Sequence, residues 1–258
     1  MWDPQVYLEF ADHRTRPARD LLAAVALSDP GRIVDLGCGT GTSTRLLAAR
    51  WPDADTLGLD SSPEMIAAAE EIPASGARYG LANIASWRPE QAYDLIFTNA
   101  ALQWVPGHLD LLPGWLAALQ PGGRLALQVP ANWDQPAHTL LRELCTGPAW
   151  RDRLDGVLRH HEMPGPADYL NRLGGPGEVL DVWEITYQHR LTGANPVLEW
   201  VRGTALRPVL TALADDPAAG HAFEAEYAAA LRAAYPPDRH GLTTWPFRRL
   251  FVVAGRPD

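Results

Sequence analysis

The stretch Ile33-Val34-Asp35-Leu36-Gly37-Cys38-Gly39-Thr40-Gly41 constrains this chain more than any other. A short apolar run containing an acid gives way to three glycines at every second position. Glycine has no Cβ and tolerates positive φ, so such a loop lets backbone come close to a ligand. The residues that follow, Thr42 to Arg50, have helical character, which turns a set of N-terminal N–H groups toward the same place. A strand, a glycine loop and a helix in that order form a nucleotide-type binding turn.

Two fingerprints compete for that turn. The dinucleotide pattern G-x-G-x-x-G/A needs a third small residue for helix–strand packing. Counted from Gly37 that position is Thr42, and the pattern fails. What stands instead is D-x-G-x-G-x-G, with Asp35 two residues before Gly37. An acid there would repel a pyrophosphate but can hold an ammonium group. A phosphate-binding loop of the G-x-x-x-x-G-K-[ST] type is excluded, because the chain contains no lysine.

A second acid-ended strand follows, Thr56-Leu57-Gly58-Leu59-Asp60, roughly 20 residues past the glycines, where a carboxylate commonly takes both ribose hydroxyls. A carboxylate accepts at two oxygens, which suits a vicinal diol. Ser61-Ser62-Pro63-Glu64 then opens a helix, with Ser62 as N-cap and Pro63 at the first helical position. Taken together, these features point to a ligand with an adenosine end and an amino-acid end.

On Asp35-x-Gly37-x-Gly39-x-Gly41 and Asp60, the chain resembles the class I S-adenosylmethionine-dependent methyltransferases. The likeness continues through Tyr93-Asp94-Leu95-Ile96-Phe97, as a fourth strand, and Pro121-Gly122-Gly123, as the turn into a fifth at Arg124–Val129. It implies S-adenosylmethionine as cofactor, with no metal. Asp60 would hold the ribose, with Ser61 beside it. The glycine loop, with Gly37 and Gly39, would serve the methionine end, Asn83 and Ile84 would flank the adenine, and Asp35 and Asn99 would be further cofactor-binding residues. Many relatives carry Asp where Asn83 stands; the Asn83 side-chain oxygen can also accept a hydrogen bond.

Composition narrows the partners. The chain has 258 residues and a formal net charge of −9. An acidic protein is poorly suited to bulk nucleic acid or anionic membranes. Without lysine, Schiff-base chemistry is excluded. Cys38 and Cys145 have no metal-ligand spacing, and His160-His161 has no supporting ligand pattern. No apolar run is long enough to span a bilayer. Met1-Trp2-Asp3-Pro4 lacks the features of a signal peptide, so a cytoplasmic location is expected. Oligomeric state is not legible.

Residues 31 to 130 alternate strand and helix: strands at Arg32–Leu36, Thr56–Asp60, Ala77–Leu81, Tyr93–Thr98 and Arg124–Val129, with a helix expected at Leu109–Leu119. That rhythm predicts a doubly wound parallel α/β sheet. Beyond Pro130, Pro136–Leu173 has irregular helical character, Val179–Leu191 is strand-like, and Pro196–Leu213 and Pro217–Tyr235 have helical character before a last strand at Thr244–Val253. The class I resemblance completes a Rossmann-like, seven-stranded mixed sheet with helices on both faces. On that plan one domain spans 1–258, with a cofactor-binding core at 31–130. Insertions after strands five and six, about 134–173 and 195–240, would form a helical cap that sets substrate specificity.

The cap candidates place arginine beside aromatics: Trp183, Tyr187, His189 and Arg190; Trp200 and Arg202; Arg207; then Arg248-Arg249-Leu250-Phe251. Arginine's planar fork matches carboxylates, so a polyanionic small molecule is the expected substrate. Narrower motifs agree end to end. They are Tyr7-Leu8-x-Phe10, Arg14-x-Arg16-Pro17, Asn99-Ala100-Ala101-Leu102-Gln103-Trp104-Val105-Pro106, Pro130-Ala131-Asn132-Trp133, Asp181-Val182-Trp183-Glu184-x-Thr186-Tyr187, Leu206-Arg207-Pro208 and Phe247-Arg248-Arg249-Leu250-Phe251. On these the whole chain resembles the trans-aconitate methyltransferase family.

That second resemblance implies methyl transfer to one carboxylate of trans-aconitate, giving a monomethyl ester. A carboxylate is ionised at pH 7, so no general acid or base is required. Arg207 and Arg249 would clamp the non-reacting carboxylates, Arg249 being the safer of the 248–249 pair. Trp104, Asn132 and Trp133 would line the methyl-transfer crevice, and Tyr7 and Arg16 would close an N-terminal lid. Two other readings stay open: another small carboxylic acid as acceptor, or a non-catalytic S-adenosylmethionine-binding protein.

Overall fold

The computed structural model describes residues 11–72, 76–158, 163–175 and 179–256. Tyr7 lies outside the described residues. Helix α1 (Ala11–Ala24) leads into the alternating region, and Leu21 and Val25 at its end are buried. Then come β1 (Arg32–Leu36), α2 (Thr42–Arg50), β2 (Asp55–Asp60), α3 (Pro63–Glu70), β3 (Ala77–Leu81) and β4 (Tyr93–Asn99). Two 3-10 turns, Leu102–Trp104 and His108–Asp110, precede α4 (Leu112–Ala117) and β5 (Leu119–Pro130).

Seven strands form one mixed sheet in the order β3-β2-β1-β4-β5-β7-β6, with β6 at Val179–Leu191 and β7 at Thr243–Gly255. Strands β1 to β5 pair in parallel, and β7 runs antiparallel to β5. The central strands are buried on both faces, and the apolar runs Ile33–Val34 in β1, Leu95–Phe97 in β4 and Leu125–Leu127 in β5 supply that cover. The edge strand β3 is only partly covered. Pairing puts Leu36 beside Leu59, Asp60 beside Leu81, Asn99 beside Gln128 and Pro130 beside Arg249. These carboxyl ends share one edge of the sheet, where open α/β sheets bind their ligands.

Boundaries moved where glycine or proline interrupts a helix or strand. The helix expected at Leu109–Leu119 is confined to Leu112–Ala117, with Pro113 in its first turn. Pro121-Gly122-Gly123 does not precede β5 but lies inside it, where the register with β4 shifts and Gly122 adopts φ +73°. The single helix expected over Pro196–Leu213 is split into α8 (Pro196–Arg202) and α9 (Arg207–Ala212), with Gly203 capping the first and Pro208 in the first turn of the second. Ser62 caps α3 as expected, its hydroxyl accepting from the Met65 N–H at 3.2 Å.

The chain divides into two compact units. One, Asp12–Pro130, Pro164–Ile185 and Arg249–Asp258, carries the parallel strands. Within it, α7 (Pro166–Leu173) is held to the second 3-10 turn by His108 Nε2 and Tyr169 Oη, 2.7 Å apart, and by Arg172 donating to Asp110. The other unit, which among the described residues takes in Ala131–Met163 and Thr186–Arg248, has its own apolar core. It comprises α5 (Pro136–Thr146), α6 (Arg151–Leu154), α8, α9 and α10 (Pro217–Ala234). Trp200, Trp245 and Phe247 interlock edge to face, with neighbouring centroids 5.0 Å apart for Trp200–Trp245 and Trp245–Phe247. Ala137 anchors α5 on both sides: its N–H donates to Tyr235 Oη at 3.0 Å and its carbonyl accepts from Tyr227 Oη.

Candidate active site

The glycine turn is folded onto the end of β2. Gly37 and Cys38 N–H both donate to the Leu59 carbonyl, at 2.7 and 3.0 Å, and Gly39 N–H donates to Asp60 Oδ2 at 2.9 Å. Asp60 Oδ1 accepts from the Ser62 N–H at 3.0 Å. These donors are spent on protein, so the loop offers no cradle for a phosphate, in keeping with the failed dinucleotide spacing. Each Asp60 oxygen keeps a second lone pair for a donor such as a hydroxyl.

The three glycines are required for different reasons. Gly37 has φ +74°, and a Cβ there would lie 2.3 Å from that of Ala101 and 3.0 Å from Ile84 Cδ1. Gly41 has φ +77°, and a Cβ would strike Tyr79 Oη at 2.6 Å. Gly39 has φ +54° and open space where its Cβ would stand. That open space leaves room for a ligand to approach the backbone.

Asp35 is completely buried beneath the first turn of α2. Its Oδ2 accepts from Ser43 Oγ at 2.6 Å and Thr44 Oγ1 at 2.7 Å, while its Oδ1 is buried with no hydrogen-bond partner. Burial pushes its carboxyl up to about 6, partly opposed by the two hydroxyls, and the Asp60 charge adds to the rise. A buried carboxylate oxygen without a partner is costly, and a cationic group is the partner that would relieve it. The same desolvation drives the Cys38 thiol far upward, which leaves it inert.

A second group of polar side chains sits where β4 and β5 end. Ala100 has φ +55°, a strained conformation for a residue other than glycine. Its N–H donates to the Gln128 carbonyl at 2.9 Å and its carbonyl accepts from Gln103 Nε2 at 2.6 Å. Asn99 Oδ1, Gln103 Oε1 and Gln128 Nε2 are all buried without a partner. Gln128 is 0% exposed, and its Oε1 accepts from Arg249 Nη1 at 3.2 Å; Arg249 itself is 4% exposed.

The arginines singled out beside aromatics separate into distinct environments. Arg190 pairs with Asp238 at 2.7 Å and Arg202 with Glu224 at 2.6 Å, both at the surface. Arg248 donates to the Ala131 carbonyl and pairs with Asp134 at 3.0 Å. Arg207 is half-buried at the start of α9, in the helical unit, and Arg249 lies in the sheet unit. Arg16, on α1, is exposed and 3.8 Å from Asp20.

The remaining expected residues fall as follows. Asn83 is exposed and its Oδ1 already accepts from the Ala85 N–H at 3.0 Å; Ile84 packs toward Gly37; Ser61 is exposed. Trp104 is 54% exposed on the first 3-10 turn. Asn132 is buried, its Nδ2 3.4 Å from His138 Nε2, and Trp133 lies against the His138 ring at 4.8 Å between centroids. The Trp133 Nε1 has no partner, while its carbonyl accepts from Arg142. Burial and the Arg142 charge push His138 down to about 4, so it is neutral at pH 7.

The described residues contain no group of His, Cys, Asp and Glu side chains able to hold a metal ion, and no helix long and apolar enough to cross a membrane. A family model for a methyltransferase domain matches residues 7–181. The trans-aconitate 2-methyltransferase of Streptomyces coelicolor is 54% identical over 265 aligned positions, covering 100% of this chain and 87% of that relative.

The chain belongs to the trans-aconitate 2-methyltransferase family.

Solved structures place this family member in the class I methyltransferase fold. The YcgJ protein of Bacillus subtilis matches with a TM-score of 0.58 at 13% identity, over 95% of this chain and 99% of that one. Phosphoethanolamine N-methyltransferase 2 of Haemonchus contortus, solved with S-adenosyl-L-methionine, matches with a TM-score of 0.53 at 16% identity; the alignment spans 94% of this chain and about half of that one, 53%. Sequence reasoning about this family member missed Gln128 and His138. Gln128 had a signal: an amide inside an otherwise apolar central strand must have a partner. His138 had none, because its closeness to Asn132 and Trp133 arises only from the turn that opens α5.

Proposed function

We propose that this chain transfers a methyl group from S-adenosylmethionine to one carboxylate of trans-aconitate, forming the monomethyl ester. The observation that carries the reading is Arg249: a guanidinium buried at the carboxyl edge of the sheet, on the same unit as the turn tied to Asp60. A buried cation at the same carboxyl edge of the sheet as a nucleotide-type turn suits an anionic acceptor. The name and identity of the relatives supply the particular acid.

S-adenosylmethionine supplies an activated methyl group on a sulfonium sulfur. Asp60 accepts from the ribose hydroxyls with the lone pairs that Gly39 and Ser62 leave unused. Asp35 Oδ1 faces the ammonium charge, which relieves its buried, unpartnered state. The open space at Gly39 admits the ligand, while Ile84 and the Asn83 turn flank the adenine, and Asn99 and Ser61 complete the cofactor contacts. Arg249 holds a carboxylate that does not react. Arg207, with Asn132 and Trp133, is the helical unit's own candidate for acceptor recognition, and Trp104 is a further candidate on the sheet unit. No residue acts as a general base, because the attacking carboxylate is already ionised. The protein aligns and desolvates the reactants.

Initial rates with labelled methyl donor across trans-aconitate, cis-aconitate, citrate and a fatty acid test this reading. The expected result is a clear preference for trans-aconitate. Preference for another acid, or no transfer to any, would overturn it.

A further inference from the structure

We infer that Gln128 is a positioning residue that aims Arg249 at a substrate carboxylate, and that its own Nε2 donates to the same anion. The inference rests on the proposed acceptor being a polycarboxylate. Gln128 is fully buried in the middle of the sheet, between Asn99 on β4 and Phe251 on β7. Its backbone and one end of its side chain are both committed. The backbone carbonyl is committed to the strained Ala100, and the side-chain Oε1 to Arg249 Nη1 at 3.2 Å. The other end of the amide, Nε2, is buried with no partner.

The residue type matters. An Asp or Glu at this position would orient the guanidinium equally well, but it would add a negative charge that repels an incoming carboxylate. An aliphatic residue would leave the charge but lose the orientation. A neutral amide accepts from the arginine and still presents a donor, and an acceptor-only anion is the ligand that a buried, unpartnered N–H₂ requires. The unpartnered oxygens of Asn99 and Gln103 lie on the neighbouring strand end and turn. They want donors, which assigns them a different part of the ligands.

The test uses the full chain and two near-isosteric variants, Gln128→Glu and Gln128→Met. Three quantities are measured: melting temperature, affinity for S-adenosylhomocysteine by calorimetry, and KM and kcat for trans-aconitate. Gln128→Glu should melt at or above the wild type, because a carboxylate pairs with Arg249, and should keep its S-adenosylhomocysteine affinity. Its KM for trans-aconitate should rise about 100-fold or more. Gln128→Met should be less stable yet lose less affinity for the acid, about 10-fold. That reversed order separates positioning from a merely structural role, which would make the less stable variant the poorer enzyme. A Gln128→Glu enzyme with KM within about threefold of wild type, or one no worse than Gln128→Met, overturns the inference. If the wild type does not methylate trans-aconitate at all, the proposed function fails and the inference with it.

Discussion

The Asp60 carboxylate accepts a hydrogen bond from the Gly39 N–H across 2.9 Å, which ties the end of β2 to the glycine turn that leaves β1. One side chain thereby shapes the turn, and in the proposed function it also takes the ribose. Asp60→Ala should weaken S-adenosylhomocysteine binding by about 10- to 100-fold, the size of a lost charge-assisted hydrogen bond. Calorimetry checks it, and unchanged affinity would remove Asp60 from the ribose.

The glycines of that turn should fail in different ways. A left-handed φ costs an L-residue roughly 1–2 kcal/mol by itself. Gly37→Ala adds a collision with Ala101 and should lower the melting temperature by about 4 °C or more. Gly39→Ala meets no neighbour, so its stability loss should be the smaller, yet its methyl group fills the open space and should weaken cofactor binding. Equal losses in both stability and binding would contradict this separation.

The buried Asp35 predicts a pH signature. Its carboxyl is raised from 3.8 to about 6 by burial. A raised acid favours folding most below its unfolded value, near pH 3.8, and that contribution is lost as pH rises through about 6. An ammonium at Oδ1 pulls the value back down. S-adenosylmethionine binding should therefore release a proton near pH 5 to 6. Affinity should fall as pH drops below about 6 and level off above it. Calorimetry in buffers of different ionisation enthalpy reads the proton directly. Asp35→Asn should abolish the release.

The adjacent arginines of β7 should separate cleanly. Arg249→Leu should raise KM for trans-aconitate by about 30-fold or more, the loss of a buried charge-assisted contact. Arg248 is engaged with Ala131 and Asp134, so Arg248→Leu should cost about 1 kcal/mol of stability or less and leave KM nearly unchanged. Steady-state kinetics and thermal melts on the two variants decide it.

The glycine turn and the strand ends around it were legible because their signals are local. A strand end, a glycine spacing and an acid at the next strand end all act within a few residues of one another. The acceptor half depends on partners far apart in the chain. Arg190 and Arg202 resembled pocket arginines until Asp238 and Glu224 came to meet them. Arg248 and Arg249 are adjacent in sequence, but strand alternation sends them to opposite environments. Gln128 stood out as an amide in an apolar run, but its partner Arg249 lies 121 residues away, and the helix breaks at Pro113 and Gly203 were concealed by the apolar periodicity that surrounds them.

The central claim is tested most directly by product identity. The purified protein is incubated with S-adenosylmethionine and trans-aconitate, and the products are resolved by mass spectrometry. The account predicts one monomethyl ester of trans-aconitate, formed in step with S-adenosylhomocysteine and strongly reduced in Arg249→Leu at low trans-aconitate. Turnover of S-adenosylmethionine with trans-aconitate unmodified, or no turnover by a protein that binds the cofactor, would contradict it.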